Sequence, residues 1–254
     1  MYTKKEHRLK FWQKKKRSFI KRLLIKFVNS SDSYVIQHLP ESIDRDEFDI
    51  SPFRKIWLAG GRANSVDPIR LLFLISNIQD LENIDGAFAE VGVYKGHTAK
   101  IFNTLFPKRK FYLFDTFEGF EKSDFDSETE KRSSSDNFDD TSLQSVKEYL
   151  APKDNIIFCK GYFPDTTKFV EEGETFALVH LDADLYNPIK AGLEYFYPRM
   201  QHHGIIIIHD YSSGAWPGVT KAVDEFMLDK HEGIVKMPDK SGSVVIKRCI
   251  NDQK

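Results

Sequence analysis

Residues 176–182, FALVHLD, and 204–210, GIIIIHD, are two apolar runs that each end on acidic residues. Continuous aliphatic and β-branched runs of this length read as strands of a parallel sheet buried on both faces, and ligands gather where such strands end. Asp182 and Asp184 at the end of the first run then face His209 and Asp210 at the end of the second across one crevice. Carboxylates and an imidazole delivered to one point suit a divalent cation better than a solvated surface.

Outward from these runs, strands are expected at 87–93, 110–115, 156–161, 232–237 and 243–248. Helical periodicity falls between them at 97–106, 141–150, 187–200 and 217–229, with Thr98, Thr141, Asn187 and Pro217 as cap or first-turn residues. Another helix starts at Asp67, with Pro68 at its first position ahead of the apolar run IRLLFLISNI. Strand–helix alternation predicts an α/β fold: a doubly wound, mostly parallel, seven-stranded sheet with right-handed crossovers, closed by an antiparallel C-terminal hairpin. Ahead of this domain, at 66–250, lie a small cap region at 31–65 and a basic amphipathic segment at 1–30.

The 254 residues suffice for one sizeable core, and two cysteines, Cys159 and Cys249, are too few for a disulfide framework. Both read as buried thiols in a reducing cytoplasm. The formal net charge of −1 hides an asymmetry, since residues 1–28 hold eleven of the 37 Lys and Arg against one acid, Glu6. Phe11, Trp12, Phe19, Leu23, Leu24 and Phe27 interleave with those cations. The pattern suits a helix lying on an anionic membrane face, a partner-docking helix or a solvated tail. No apolar stretch reaches the roughly 20 residues of a membrane span. No recognition motif or stacking platform accompanies the basic residues and the remainder is acidic, which argues against nucleic acid.

The first strand ends in EVGVYKG, residues 90–96. Gly92 and Gly96 permit a tight turn and close approach of backbone to a ligand, but the three-glycine pattern of a pyrophosphate site is missing and Glu90 repels phosphate. A cationic sulfonium amino acid fits better. The second strand ends in LFDTFEGF, whose Asp115 stands where an acid holds the ribose hydroxyls of an adenosine ligand, or else caps a helix.

EVGVYKG, FDTFEGF, DDTSLQSVKEYL, KGYFPDT, LDADLYNP and HDYSSGAWPGVTKAVDEF follow one another as in the macrocin O-methyltransferase (TylF/MycF) family, which the chain resembles over roughly residues 65–248. The resemblance implies a class I, Rossmann-like S-adenosylmethionine (SAM) methyltransferase fold and metal-dependent methylation of a sugar hydroxyl on a glycan, nucleotide sugar or glycosylated natural product. It places SAM against Glu90, Gly92, Tyr94 and Gly96, its ribose on Asp115, and Gly161, Tyr162 and Phe163 beside the adenine. It gives the metal to Asp182, His209 and Asp210. A homo-oligomeric cytoplasmic enzyme, peripheral to the membrane if residues 1–28 bind lipid, completes the expectation.

Two departures are chemical. Antibiotic-tailoring members usually carry two adjacent acids where this chain has His209 and Asp210. Either His209 ligates a softer ion such as Mn²⁺, or it turns aside and Asp184 or water completes a Mg²⁺ shell. The segment 121–140, EKSDFDSETEKRSSSDNFDD, holds no histidine to serve as a base. Deprotonation of the acceptor then falls to Asp182, Asp184 or His209, or to the metal itself. The same segment is too polar for core and reads as a lid or a plain insertion. Tyr211 and Trp216 flank the acceptor mouth or bury against that lid, His180 is a satisfied core residue, and His202 and His203 are exposed at a helix end. Two other classes stay open: a nucleotide- or nicotinamide-dependent enzyme on a similar sheet, and a non-catalytic membrane-associated scaffold of glycan assembly.

Overall fold

The computed structural model describes residues 66–67, 69–71, 73, 77–121, 124, 138–151 and 154–250. The segments expected at 1–30 and 31–65, and all of the 121–140 segment but Glu121, Asp124 and 138–140, lie outside them. In the described residues, seven strands form one sheet in the order β3-β2-β1-β4-β5-β7-β6. They are β1 Ala87–Val91, β2 Phe111–Asp115, β3 Ile156–Lys160, β4 Phe176–Leu181, β5 Met200–Ile208, β6 Val235–Lys236 and β7 Val244–Lys247. Strands β1 to β5 pair in parallel, while β7 runs antiparallel to both β5 and β6. The expected closing hairpin is thus present.

Every residue of β1 and β4 is buried. This explains why both read as unbroken apolar runs: helices cover the two faces of the central strands. Helix α1 (Ile78–Glu82) precedes β1, and α2 (His97–Leu105), α3 (Leu143–Leu150), α4 (Tyr186–Phe196) and α5 (Pro217–Met227) form the crossovers. Ile189, Leu193 and Phe196 of α4 and Val219, Ala222 and Val223 of α5 sit at helical spacing and are fully buried in one core with β4 and β5. Asp67 caps the helical turn at residues 69–71, its Oδ1 accepting from Ile69 N–H at 2.7 Å.

Several local expectations change. Helix α3 is capped by Ser142, whose hydroxyl accepts from Ser145 N–H in a capping box. Thr141 instead donates its hydroxyl to the Tyr94 carbonyl at 2.7 Å, tying the start of α3 to the loop after β1. Thr98 and Asn187 stand in the first turns of α2 and α4, as expected, while Gly96 and Leu185 occupy the N-cap positions with no side-chain bond. Strand β5 starts at Met200, because the β4 pairing skips from Phe176↔Met200 to Leu178↔Ile205 and absorbs the intervening residues in a bulge. His202 and His203 therefore lie in a strand, although exposed as expected. Cys159 is buried, which pushes its thiol up to about 12, whereas Cys249 lies exposed beyond β7.

Strand order reverses between β1 and β4, so the chain leaves these neighbours in opposite directions. A crevice opens over their C-terminal ends at such a switch point. The sequence puts EVGVYKG after β1 and LDAD after β4, and the register Glu90↔His180 and Val91↔Leu181 sets the two segments side by side.

Candidate active site

A cavity of about 330 Å³ occupies this crevice. Its walls include Glu90, Gly92, Tyr94 and Asp115 from the first two strand ends, Gly161, Tyr162 and Phe163 after β3, and Asp182, Asp184, His209 and Asp210 after β4 and β5. Of the residues that the resemblance assigns to the donor or the metal, Gly96 alone does not line it. A Cβ there would lie 3.1 Å from Val146 Cγ1 of α3, and φ is +77°, so this glycine serves the helix start and the α2–α3 contact.

Asp182, His209 and Asp210 each present one donor atom, all within 4.8 Å of one another. His209 Nδ1 stands 2.6 Å from Asp182 Oδ1 and 2.9 Å from Asp210 Oδ2. Yet neither ring nitrogen has a partner with hydrogen-bond geometry among the described residues, although both are buried. Donor atoms that converge this closely without hydrogen-bond alignment fit a cation, which would displace any proton on the imidazole, and a set of two carboxylates and one imidazole suits a first-row divalent ion. Burial opposes charge on His209, but the Asp182 carboxylate and Asp210 outweigh it and raise the imidazole to about 10. Burial likewise works against ionised Asp182, and His209, His180 and Arg70 overcome it, holding this carboxyl low.

Asp184 behaves oppositely. Burial first, then the charges of Asp182 and Asp210, hold its carboxyl well above the ordinary range. Two neighbouring acids pushed apart in this way suit distinct tasks, one carboxyl that stays ionised and one able to carry a proton. Asp184 and Asp210 also adopt left-handed backbone, φ 62° and 58°. Asp tolerates that region better than most residues, and such conformations concentrate at functional sites.

A buried chain of groups joins this cluster to β1. Glu90, His180 and Arg70 are 1%, 0% and 5% exposed. His180 Nδ1 is 2.9 Å from Glu90 Oε1, and its Nε2 is 3.4 Å from Arg70 Nη1. Burial pushes the imidazole down to about 3, so it is neutral with one N–H. A guanidinium only donates, so Nε2 accepts and Nδ1–H points at Glu90. His180 is therefore the satisfied core residue expected, but it also links donor loop to cluster. Burial, then Asp182 and Asp115, raise the Glu90 carboxyl well above the ordinary range, with Arg70 opposing.

Gly92 makes the second link. A Cβ on it would fall 2.0 Å from the Asp182 carbonyl oxygen, so its first requirement is the backbone of β4 rather than a ligand. Asp115 is similarly committed: Oδ2 accepts from Val93 and Tyr94 N–H at 2.7 and 2.8 Å, and Oδ1 from Phe117 N–H. A carboxylate offers about four lone-pair positions, so these three bonds leave room for a hydroxyl.

Toward the mouth, Trp216 packs edge-on to Phe120 at 5.6 Å and at a tilt to Phe138 at 6.3 Å, all three on the cavity wall. Tyr211 does not line the cavity; it is buried with its hydroxyl on Asp224 Oδ1 at 2.7 Å. Sequence reasoning missed Asp124, taken with its neighbours as too polar to bury. It is 5% exposed, its carboxylate accepting from Tyr162 OH and Asn187 Nδ2, each at 2.7 Å. Arg70 was missed too, although a lone cation inside the apolar run IRLLFLISNI was its signal.

A curated Streptomyces olivaceus protein, 8-demethyl-8-(2,3-dimethoxy-alpha-L-rhamnosyl)-tetracenomycin-C 4'-O-methyltransferase, is 26% identical over 147 residues. The match covers 53% of this chain and 56% of that relative, so the chain spans about half the relative's length. Two solved structures share the fold. The O-methyltransferase NovP superposes with a TM-score of 0.59 at 21% identity, over 72% of this chain and 80% of its own. The calicheamicin methyltransferase CalS11 does so with 0.55 at 20% identity, over 85% and 99%. Residues 69–238, two strand ends and their acids included, match the family model for macrocin O-methyltransferase (TylF), and the chain belongs to that family of O-methyltransferases.

Proposed function

We propose that the protein transfers the methyl group of SAM to a sugar hydroxyl of a glycosylated small molecule, with a divalent cation held by Asp182, His209 and Asp210. The convergence of those three donors within 4.8 Å, on the wall of the cavity that Glu90 also lines, carries the reading. The acceptor class follows from the S. olivaceus relative, whose name specifies a rhamnosyl group. A nicotinamide enzyme would need a third glycine to admit its diphosphate, and the loop after Gly92 offers Val93, Tyr94 and Lys95 instead.

When bound, the cation supplies Lewis acidity that lowers the pKa of an acceptor hydroxyl. The remaining work belongs to side chains. Glu90 and the loop at 92–94 orient the donor, and the Trp216 face, framed by Phe120 and Phe138, stacks against a sugar ring and keeps water out. Asp184 takes the hydroxyl proton: its raised pKa makes it a stronger base than an exposed carboxylate, and it borders the ligand cluster. Fixing both reactants in line supplies several kcal/mol of the barrier.

Asp184→Asn is expected to lower kcat on the order of 10²- to 10⁴-fold, the usual scale for losing a general base, while Mn²⁺ binding stays near wild type. Radiolabelled methyl transfer to a rhamnosyl acceptor, beside Mn²⁺ titration, reads both. A variant that keeps full activity would remove Asp184 from the reaction. Loss of Mn²⁺ together with activity would make it a ligand instead. The imidazole donor also favours Mn²⁺ over Mg²⁺ in restoring chelator-treated enzyme.

Self-association, a cytoplasmic setting and peripheral lipid contact through residues 1–28 belong to the same proposal; sizing and liposome sedimentation of chains with and without those residues test them. Among the described residues, no helix is long and apolar enough to cross a membrane.

A further inference from the structure

Arg70 is a permanent cation, 5% exposed, on the cavity wall. Its contacts are long: Nη1 is 3.4 Å from His180 Nε2 and 3.5 Å from Asp182 Oδ2, and Nε is 3.9 Å from Asp239 Oδ2. Charge-assisted bonds normally close to about 2.7–2.9 Å. Nε has no hydrogen-bond partner among the described residues. Nor are the neighbouring acids idle. Asp239 accepts from Ser243 N–H and Ser243 Oγ–H, both at 2.6 Å, and Asp182 Oδ1 faces His209 at 2.6 Å. A buried guanidinium whose acceptors among the described residues all lie at 3.4 Å or beyond is costly unless something anionic completes it.

The opposite lack lies across one imidazole. Glu90 Oε1 takes the His180 Nδ1–H, but Oε2 is buried with no partner among the described residues. One wall thus offers a guanidinium held only by long contacts, with Nε unfilled, and an unfilled carboxylate oxygen, on either side of a single ring. The helical turn that carries Arg70 is fixed as well, since Asp67 Oδ2 accepts from Lys240 N–H at 2.8 Å. The pair is complementary in charge to a free α-amino acid group, a carboxylate beside an ammonium.

We propose that Arg70 receives the α-carboxylate of the methyl donor and that Glu90 Oε2 receives its α-ammonium. The inference rests on the donor being SAM, and assigns to Arg70 a binding role within that reading.

Calorimetry with three probes separates the two claims. S-adenosylhomocysteine carries both charged groups, its decarboxylated analogue keeps only the ammonium, and 5′-methylthioadenosine has neither. Wild type is expected to prefer the first over the second by roughly thirtyfold or more, the worth of charge-assisted bonds in a buried site. In Arg70→Met that preference should collapse toward one, with 5′-methylthioadenosine bound as in wild type to within about twofold. Arg70→Lys, which keeps the charge and loses the fork, should retain a preference of several-fold. An equal loss of all three probes in Arg70→Met would show a purely structural role and overturn the proposal, as would an undiminished preference. Failure of wild type to bind any of the three would instead overturn the SAM reading itself.

Discussion

Replacing Asp182 by alanine is expected to lower methyl transfer by about 10³-fold or more, roughly 4 kcal/mol of transition-state stabilisation, the scale for deleting a preorganised charge at a reacting oxygen. Binding of S-adenosylhomocysteine should change by less than about fivefold, because Glu90 and the backbone of the 92–94 loop keep their places. Asp182 Oδ1 is 2.6 Å from His209 Nδ1 and Oδ2 is 3.5 Å from Arg70, so its removal also leaves the buried Arg70 cation under-compensated. Asp182→Asn keeps the shape and isolates the charge. Single-turnover methyl transfer, paired with calorimetry on both variants, reads the split. Activity within about tenfold of wild type in chelator would mean that the cluster does not support the reaction.

Gly92→Ala is expected to be the most damaging single-methyl change in the domain. Its Cβ would lie 2.0 Å from the Asp182 carbonyl oxygen and 2.6 Å from the carbonyl carbon, both backbone atoms of the neighbouring chain segment. The position also has φ +86°, which an L side chain rarely adopts. Gly173 supplies the control, with φ +77° and nothing within 4 Å of the added atom. Gly173→Ala should cost about 1–2 kcal/mol from backbone strain alone. Gly92→Ala should add the overlap, reaching about 3 kcal/mol or more, and should weaken donor and cation binding together because it displaces the segment that both use. Urea unfolding of the two variants measures the difference. Equal losses would mean that the β1 and β4 ends are less tightly locked than the geometry states.

The frame was legible because its signals are local. FALVHLD and GIIIIHD had to be buried strands, each ending on the residues that form the cluster, and a β-α alternation left few ways to arrange them. Long-range pairing was less visible. Arg70 meets Asp182 from 112 positions away, and a single charged residue in an apolar helix gives no hint of its partners. Glu90 and Gly92 were singled out as ligand residues, yet one hydrogen-bonds a histidine of the adjacent strand and the other makes room for that strand's backbone. Strand register decides both, and a one-residue slip would have turned Glu90 to the opposite face. Cys249 was misplaced for the converse reason: β7 ends at Lys247, and a thiol two residues beyond the last pairing has no core to enter.

Asp124 shows how composition misleads. Its neighbours from Glu121 to Asp140 are overwhelmingly polar, and average polarity argued for a segment held clear of the core. Burial of one carboxylate needs only specific donors, here Tyr162 and Asn187, which come from two other elements. The polar run and the buried acid are therefore compatible.

The most direct test is anomalous diffraction from crystals of the full chain grown with Mn²⁺ and S-adenosylhomocysteine, with data collected on either side of the manganese edge. The account predicts one manganese peak within about 2.0–2.4 Å of an oxygen of Asp182, a nitrogen of His209 and an oxygen of Asp210, on the cavity wall shared with the nucleoside. Manganese bound elsewhere, or a fully liganded nucleoside pocket whose three cluster residues carry no peak, would contradict it.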